Sequence, residues 1–259
     1  MKTRWNVKII ILIGIIFLLS SGIVYRNVLK VYAYPALKKV QQELILFKTK
    51  DYKVRETSHF IIRYDLEDES VIDLVAKASE EHYNQVCNAF SYYPKEKTVV
   101  IVYEDPEKLM KNSFLKKGEP PMGVYLASTI QILSPKVWVP KDQDIEDTFL
   151  NQGPMVHEFT HLIVDDIAKG NYPLWFTEGM ALYQEYVQTG YSWGEGISFD
   201  GKEYTMEQLT NDFGELDQTL AYKESFEIVK SMAQKDGFER LHDILYALGK
   251  GEKIEKYFE

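Results

Sequence analysis

The centre of the chain holds two histidines and a glutamate with the spacing of a metal-binding helix. Within the stretch Gly153–His161, which reads GPMVHEFTH, His157 and His161 are four residues apart, and Glu158 directly follows the first. If this stretch is helical, both imidazoles lie on one face, one turn apart, and can bind a single metal ion. Glu158 then points beside that ion, where a carboxylate can take a proton from water. The spacing therefore predicts a catalytic metal site.

A third ligand is predicted on a second helix. Glu178 follows His161 by 17 residues, and the turn Lys169–Pro173 between them lets the next helix fold back antiparallel, towards the histidines. Two histidines and one glutamate leave one position of a tetrahedral zinc ion for water, which is the arrangement of catalytic zinc sites. This second helix argues against the alternative, in which the two histidines lie on the surface of an amphipathic helix and bind no metal.

The two motifs together resemble those of the gluzincin metallopeptidases, in which a glutamate on the next helix is the third zinc ligand. In particular, they are similar to small bacterial peptidase-MA-like domains, which pair H-E-x-x-H with a downstream W-x-x-E-G-x-A, found here at 175–181. The resemblance covers roughly residues 54–248. It also includes the segments Ser58–Tyr64, Val99–Tyr103 and Gly123–Tyr125, the last leading into Ile130–Ile132. It implies a zinc-dependent metallopeptidase that hydrolyses peptide or protein substrates.

The resemblance assigns roles within the site. Zn²⁺ is expected on His157, His161 and Glu178, with Glu158 as the general base that later passes its proton to the leaving amine. A Tyr or His further along the chain is expected to stabilise the oxyanion, and Tyr222 is the candidate. The alternative for Tyr222 is a helix tyrosine packed against the core.

Two further sets of residues are candidates for supporting roles. Gluzincins pair an extended peptide with an edge strand, and Ser128, Thr129 and Ile130 begin a strand that could serve; an internal strand is the alternative.

Histidine ligands usually donate their free N–H to a carboxylate or carbonyl. Asp165, one turn beyond His161, and Glu185, two turns beyond Glu178, could accept it. A solvated helix face explains either acidic residue equally well. His59, His82 and His242 lack ligand spacing and are expected to be structural or exposed.

The elements around these motifs predict an α+β fold. Strands are expected at His59–Tyr64, Thr98–Tyr103 and Ser128–Leu133, and the helix that carries the histidines from Pro154 to about Lys169. Further helices are expected at 70–90, after the caps Asp105 and Thr205, and at 219–235 and 238–248. The insert Gly190–Gly201 is either a loop over the cleft or a hairpin. The predicted architecture is a zincin-like metalloprotease lobe, with a small mixed sheet and the active-site helix, followed by a small helical lobe and preceded by an N-terminal membrane helix.

The N-terminus predicts a membrane anchor. Ile9–Tyr25 is an uncharged apolar run preceded by Lys2, Arg4 and Lys8, which favours an N-terminus held inside and the remainder outside. We expect residues 1–25 to form a cytoplasmic tip and an uncleaved anchor, although cleavage after Ala33 is the alternative. Residues 26–52 are expected to form a juxtamembrane helix or linker, and residues 53–259 the peptidase-MA-like domain. The predicted location is a bacterial cell membrane, single-pass, with the catalytic domain extracytoplasmic.

Charge and cysteine content narrow the class of function. The 259 residues carry a net charge of −9, but residues 1–30 hold five basic and no acidic side chains, so residues 31–259 have a net charge of −14. Such an acidic domain is no nucleic-acid binder. The single cysteine, Cys87, excludes an internal disulfide and is expected to be buried.

Two functions from different classes remain after the motifs are assigned. The first is the zinc metallopeptidase described above. The second is a catalytically inactive zincin-fold binding module at the cell surface. Glu158 favours the enzyme, because a site that only binds has no use for a carboxylate beside its ligands.

Overall fold

The computed structural model describes residues 26–115, 118–198 and 201–258. The predicted anchor Ile9–Tyr25 lies outside this part of the chain. Among the described residues, no helix is both long and apolar enough to cross a membrane. These residues form a mixed α+β fold with one five-stranded sheet and mostly helices, in agreement with the predicted class.

The sheet has the order β1-β2-β3-β5-β4, where the strands are β1 (Lys53–Glu56), β2 (Phe60–Tyr64), β3 (Thr98–Tyr103), β4 (Gly123–Leu126) and β5 (Thr129–Leu133). The three inner strands β2, β3 and β5 are parallel, and the two edge strands pair antiparallel with their neighbours. Every residue of β3 is buried. This matches the continuous apolar run in its sequence, which is typical of a strand covered on both faces.

The prediction that Ser128, Thr129 and Ile130 form an edge strand is wrong. Thr129 of β5 pairs with β3 on one side and with β4 on the other, so the internal-strand alternative holds and β4 takes the edge. β4 folds back onto β5 through Ala127 and Ser128, whose φ angles of 47° and 59° suit a two-residue hairpin turn. Because such turns usually carry Asn-Gly, this pair gave no signal for the hairpin.

Eleven helices lie within the described residues. They are α1 (Arg26–Lys48), α2 (Ile72–Glu81), α3 (Tyr83–Phe90), α4 (Pro106–Asn112), α5 (Pro135–Trp138), α6 (Ile145–Gln152), α7 (Met155–Ala168), α8 (Leu174–Thr189), α9 (Met206–Asn211), α10 (Gln218–Asp236) and α11 (Phe238–Leu248), together with short 3₁₀ turns at Leu66–Val71, Phe213–Glu215 and Ile254–Tyr257. The predicted caps Asp105 and Thr205 both accept backbone N–H bonds. The single helix predicted at 70–90 is broken at His82 into α2 and α3, and Tyr83 at the start of α3 is buried against Phe159.

The sheet divides the interior into two clusters because alternate residues of β3 point to opposite faces. Val100 and Val102 join the larger cluster, which includes residues of α7, α8, α10 and α11. Val99, Ile101 and Tyr103 join a smaller cluster. α1 covers that second face through Ile45, which is fully buried. Of the two alternatives predicted for residues 26–52, the structure therefore has the helix, and it packs onto the sheet.

The helix predicted around the histidines is confirmed to within one residue at each end as α7. The helical part of the fold is held against it through α8. Gly179 of α8 lies so close to α10 that an added Cβ would be 2.3 Å from the Ser225 carbonyl oxygen. Only glycine permits this approach of two helices. Trp175 of α8 is fully buried, and its indole N–H donates to Thr210.

Candidate metal centre

The side chains of His157, His161 and Glu178 meet at one point and could hold a metal ion. Their ligand atoms all lie within 4.8 Å of one another. Glu178 Oε2 is 3.3 Å from His157 Nε2 and 3.4 Å from His161 Nε2. All three side chains are partly buried. The sequence prediction that α8 brings Glu178 to the two histidines is thus realised in the geometry.

The two helices achieve this by running in opposite directions. His161 lies beside Thr177, whereas His157, one turn earlier on α7, lies beside Glu185, two turns later on α8. The turn at Lys169–Pro173 makes the reversal possible, since Lys169 adopts a left-handed conformation with φ of 53°. Gly170 follows with φ of 68°, so the chain leaves the helix over two successive left-handed residues.

Each imidazole is oriented by a hydrogen bond at Nδ1, the nitrogen that faces away from Glu178. Glu185 Oε2 lies 3.2 Å from His157 Nδ1, and Thr177 Oγ1 lies 2.7 Å from His161 Nδ1. If both Nδ1 atoms donate their protons to these oxygens, both Nε2 atoms are left with lone pairs that point towards Glu178. Glu185 was a sequence candidate for this contact. Thr177 was not, although its position directly before Glu178 on a helix antiparallel to α7 was a usable signal.

Asp165 does not contact His161, and its predicted role is wrong. Its buried carboxylate instead accepts hydrogen bonds from Tyr34 at 2.6 Å, Lys38 at 2.8 Å, Tyr125 at 2.7 Å and Tyr172 at 2.9 Å. The physical reason is distance along the helix. One turn carries Asp165 about 6 Å beyond His161 along the axis, towards α1, while Thr177 already occupies the free imidazole nitrogen.

Glu158 lies beside the metal group without belonging to it. It is 5% exposed and lines the cleft. A Cβ added at Gly123 would lie 2.8 Å from Glu158 Oε1, so the edge strand β4 can pass this close only with glycine at that position. The backbone N–H of Tyr125 also donates to this carboxylate. Burial raises the pKa of Glu158 above its ordinary value, against the opposing effect of the two imidazoles.

Two of the three distances between the ligand atoms fit a tetrahedral metal ion. Two ligand atoms that each lie 2.0–2.1 Å from a tetrahedral zinc are about 3.3 Å apart, which follows from the angle between the bonds. The two distances from Glu178 Oε2 to the imidazole nitrogens have this value.

The charges of the group are strongly coupled. Burial opposes ionisation of Glu178, but the two imidazoles outweigh it and hold the pKa of that carboxyl well below its usual range. Burial likewise opposes protonation of His157, yet Glu185 and Glu178 raise its pKa well above the ordinary value. The site therefore attracts a positive charge, which a proton or a metal cation can supply.

A cleft of about 1300 Å³ opens over the group. Tyr222 lies in it and is hydrogen-bonded to Glu178. Its ring is tilted against those of Trp193 and Phe213, at 5.8 Å and 5.7 Å between ring centres. Burial raises the pKa of Tyr222, so this hydroxyl remains protonated. The insert at 190–201 contains no strand in its described residues, and its Tyr191 and Trp193 line the cleft, which fits the loop alternative rather than the hairpin.

The other histidines lie outside the metal group. His59 stacks on Tyr83 and pairs with Glu80 at 2.6 Å. Within the described residues, none of His59, His82 and His242 belongs to a group that could hold a metal ion. A scan against models of protein families finds no match to the chain, and no curated protein matches it at a significant level.

Proposed function

We propose that the protein is a zinc-dependent metallopeptidase whose metal is held by His157, His161 and Glu178. The observation that carries the proposal is Glu158, a buried carboxylate that faces the same cleft and is not needed as a ligand. Zinc in this set would acidify a water molecule and polarise a substrate carbonyl. The identity of the metal is part of the proposal, supported by the two nitrogen donors, the single carboxylate and the two distances from Glu178 to the imidazole nitrogens.

Glu158 acts as the general base. Its raised pKa lies closer to neutral pH than that of an ordinary carboxyl group. The carboxylate can therefore accept a proton from water and later deliver it to the leaving amine. The N–H of Tyr125 fixes its orientation, so the proton is taken up at a defined place. Tyr222 donates a hydrogen bond from its hydroxyl to the developing oxyanion. A phenol in the cleft that stays protonated is suited to this role.

The edge strand β4 binds the substrate. Its residues Gly123, Val124 and Tyr125 line the cleft, and it pairs with β5 on one side only. An extended peptide can add to the other side by backbone hydrogen bonds, which places a peptide bond beside Glu158. In this proposal β4 takes the role predicted for residues 128–130.

The proposal includes the architecture and the location expected from the sequence. The sheet and α7 form a zincin-like lobe, and α8, α10 and α11 belong to the helical lobe. The run Ile9–Tyr25 anchors the chain in a membrane as a single span, with the catalytic domain outside the cytoplasm. The full-length protein should then sediment with membranes, and protease added to spheroplasts should cleave it beyond residue 34. Recovery of intact protein in the soluble cytosol would contradict the location.

The test of activity is a digest of a broad peptide library by zinc-loaded protein. We expect cleavage that a chelator abolishes and added zinc restores. Zinc-loaded protein that cleaves nothing in such a library would contradict the proposal and favour the inactive binding module. Cleavage that persists unchanged in the metal-free protein would also contradict it, because the activity would not depend on the site.

A further inference from the structure

Helix α1 carries a second apolar face that the fold leaves exposed. Leu29, Leu37, Val40, Leu44 and Phe47 are 60%, 63%, 61%, 56% and 68% exposed, respectively. At 3.6 residues per turn these positions lie along one side of the helix, in a stripe roughly 27 Å long. Isolated apolar residues on a surface are ordinary, but a contiguous stripe of large ones marks an interaction site.

This stripe lies opposite the face that packs on the protein. Val31, Lys38 and Ile45 face the body of the molecule, where Val31 and Ile45 are buried and Lys38 binds Asp165. Leu29, Val40 and Phe47 are each two residues away from one of these, which is about 200° around the helix. The contacts of α1 with its own domain therefore use one side of the helix, and the stripe faces away from them.

The charges beside the stripe are basic although the domain is acidic. Arg26, Lys30, Lys39 and Lys48 are exposed on α1, and Glu43 is its one acidic residue. Lys169 adds a further positive charge, with its Nζ 6.0 Å from the ring centre of Tyr32. Residues 31–259 as a whole have a net charge of −14, so the basic residues beside the stripe contrast with the charge of the domain.

We propose that the outer face of α1 binds an anionic lipid surface, with the helix lying in the interface and its stripe in contact with acyl chains. Apolar side chains flanked by lysines are the pattern of helices that lie on membranes. Each lysine or arginine near an anionic surface adds attraction, which falls off within a Debye length. A second copy of the chain fits less well, because two such faces would bring their lysines together with only Glu43 on each to offset them.

The proposal is independent of the peptidase function and of the span at Ile9–Tyr25. α1 lies on the surface in this arrangement and does not cross the bilayer. It also sets the orientation of the domain, because Lys38 and Tyr34 join the opposite side of α1 to Asp165 of α7. A helix that stood upright on the membrane would instead place Leu44 about 28 Å from residue 25.

The test uses the full chain with one added cysteine, reconstituted into vesicles that contain nitroxide-labelled lipid. Leu44→Cys carries an environment-sensitive fluorophore, and Val187→Cys, on an exposed position of α8 with 51% exposure, is the matched control. The native Cys87 does not interfere, since it is fully buried and burial raises the pKa of its thiol to about 11. One set of vesicles contains phosphatidylglycerol, and the other is pure phosphatidylcholine.

We expect the probe at residue 44 to lose at least half of its emission in phosphatidylglycerol vesicles, and the probe at residue 187 to keep its emission. Lys30→Glu with Lys39→Glu should reduce that quenching. A probe at residue 44 as bright as the one at 187 would overturn the proposal. Equal quenching in the two lipids would overturn the assignment to an anionic surface. Disulfide-linked dimers of unlabelled Leu44→Cys, together with emission from the labelled protein that lipid does not change, would overturn it in favour of a second copy.

Discussion

Helix α7 presents two polar clusters to the interior, and they differ in where their positive charge comes from. One turn separates the metal group at His157 and His161 from the carboxylate of Asp165. Asp165 pairs with the ammonium of Lys38 at 2.8 Å and accepts three tyrosine hydroxyls, so the chain itself supplies its counter-charge. Glu178 pairs instead with two imidazoles, which are themselves candidate metal ligands. The difference indicates that the first cluster supports the fold, whereas the second could hold an external cation.

The largest expected effect is a loss of turnover when the carboxylate beside the metal group is changed. Glu158→Gln keeps size and polarity but cannot accept a proton, so we expect turnover to fall by about 10²–10⁴ while zinc stays bound. Glu146→Gln makes the same change in an exposed pair with Lys77 and should leave turnover unchanged. Steady-state kinetics on one cleavable peptide would measure both. Native turnover in Glu158→Gln would remove Glu158 from the reaction.

A second kinetic effect concerns Tyr222. Tyr222→Phe removes only a hydroxyl, and we expect kcat to fall by about 10²–10³ with little change in KM, because the bond to the oxyanion forms mainly in the transition state. Tyr34→Phe is the control, since its hydroxyl binds Asp165 outside the cleft. Equal rates in Tyr222→Phe and the native protein would assign Tyr222 to packing, and another donor would have to serve.

The cluster at Asp165 should respond in stability rather than in metal binding. Asp165→Asn leaves the Lys38 ammonium with Asp166 alone, so we expect a loss of about 3 kcal/mol in the free energy of unfolding, near the lower end for breaking a buried ion pair. Asp243→Asn, on a side chain that is 75% exposed, should change it little. Denaturant unfolding of the two variants measures the difference. Loss of zinc in a folded Asp165→Asn would contradict the division between the clusters.

The same cluster predicts sensitivity to alkali. Burial and the charge of Asp165 raise the pKa of Tyr34, and Asp165 and Asp166 raise the pKa of Lys38 against the opposing effect of burial. Groups with raised pKa values in the folded state stabilise it fully below their unfolded values of about 10, and this contribution is lost as the pH rises further. Tm should therefore fall as the pH rises above about 10, and less steeply in Tyr34→Phe. An equal slope in that variant would contradict this origin.

The contrast between the clusters also shows what the sequence could predict. The positions of His157 and His161 follow from helical periodicity, and Glu178 follows from a short turn, so local rules were sufficient for the metal group. Glu185 could be predicted for the same reason, because it lies two turns from Glu178 on the same face of the helix. The partners of Asp165 were not, because Tyr34 is 131 residues away in the chain and only the packing of α1 brings it there.

The sheet was predicted in the same uneven way. β3 was found with its correct bounds because a continuous apolar run has one interpretation at that length. The order of β4 and β5 was not, since the turn at Ala127 and Ser128 lacks the residues that usually mark a two-residue hairpin. The role of edge strand was therefore assigned to β5, although β4 is the strand at the edge. Gly123, which lets β4 approach Glu158, has a function that only the three-dimensional contact reveals.

The most direct test of the metal centre is zinc analysis of purified protein with the variant Glu178→Ala. We expect one zinc per chain in the native protein, and loss of that zinc in Glu178→Ala as complete as in His157→Ala or His161→Ala. Asp165→Asn, if folded, should retain it. A native protein that takes up no zinc, or a Glu178→Ala variant that binds zinc with native stoichiometry and affinity, would contradict the assignment of these three residues as ligands.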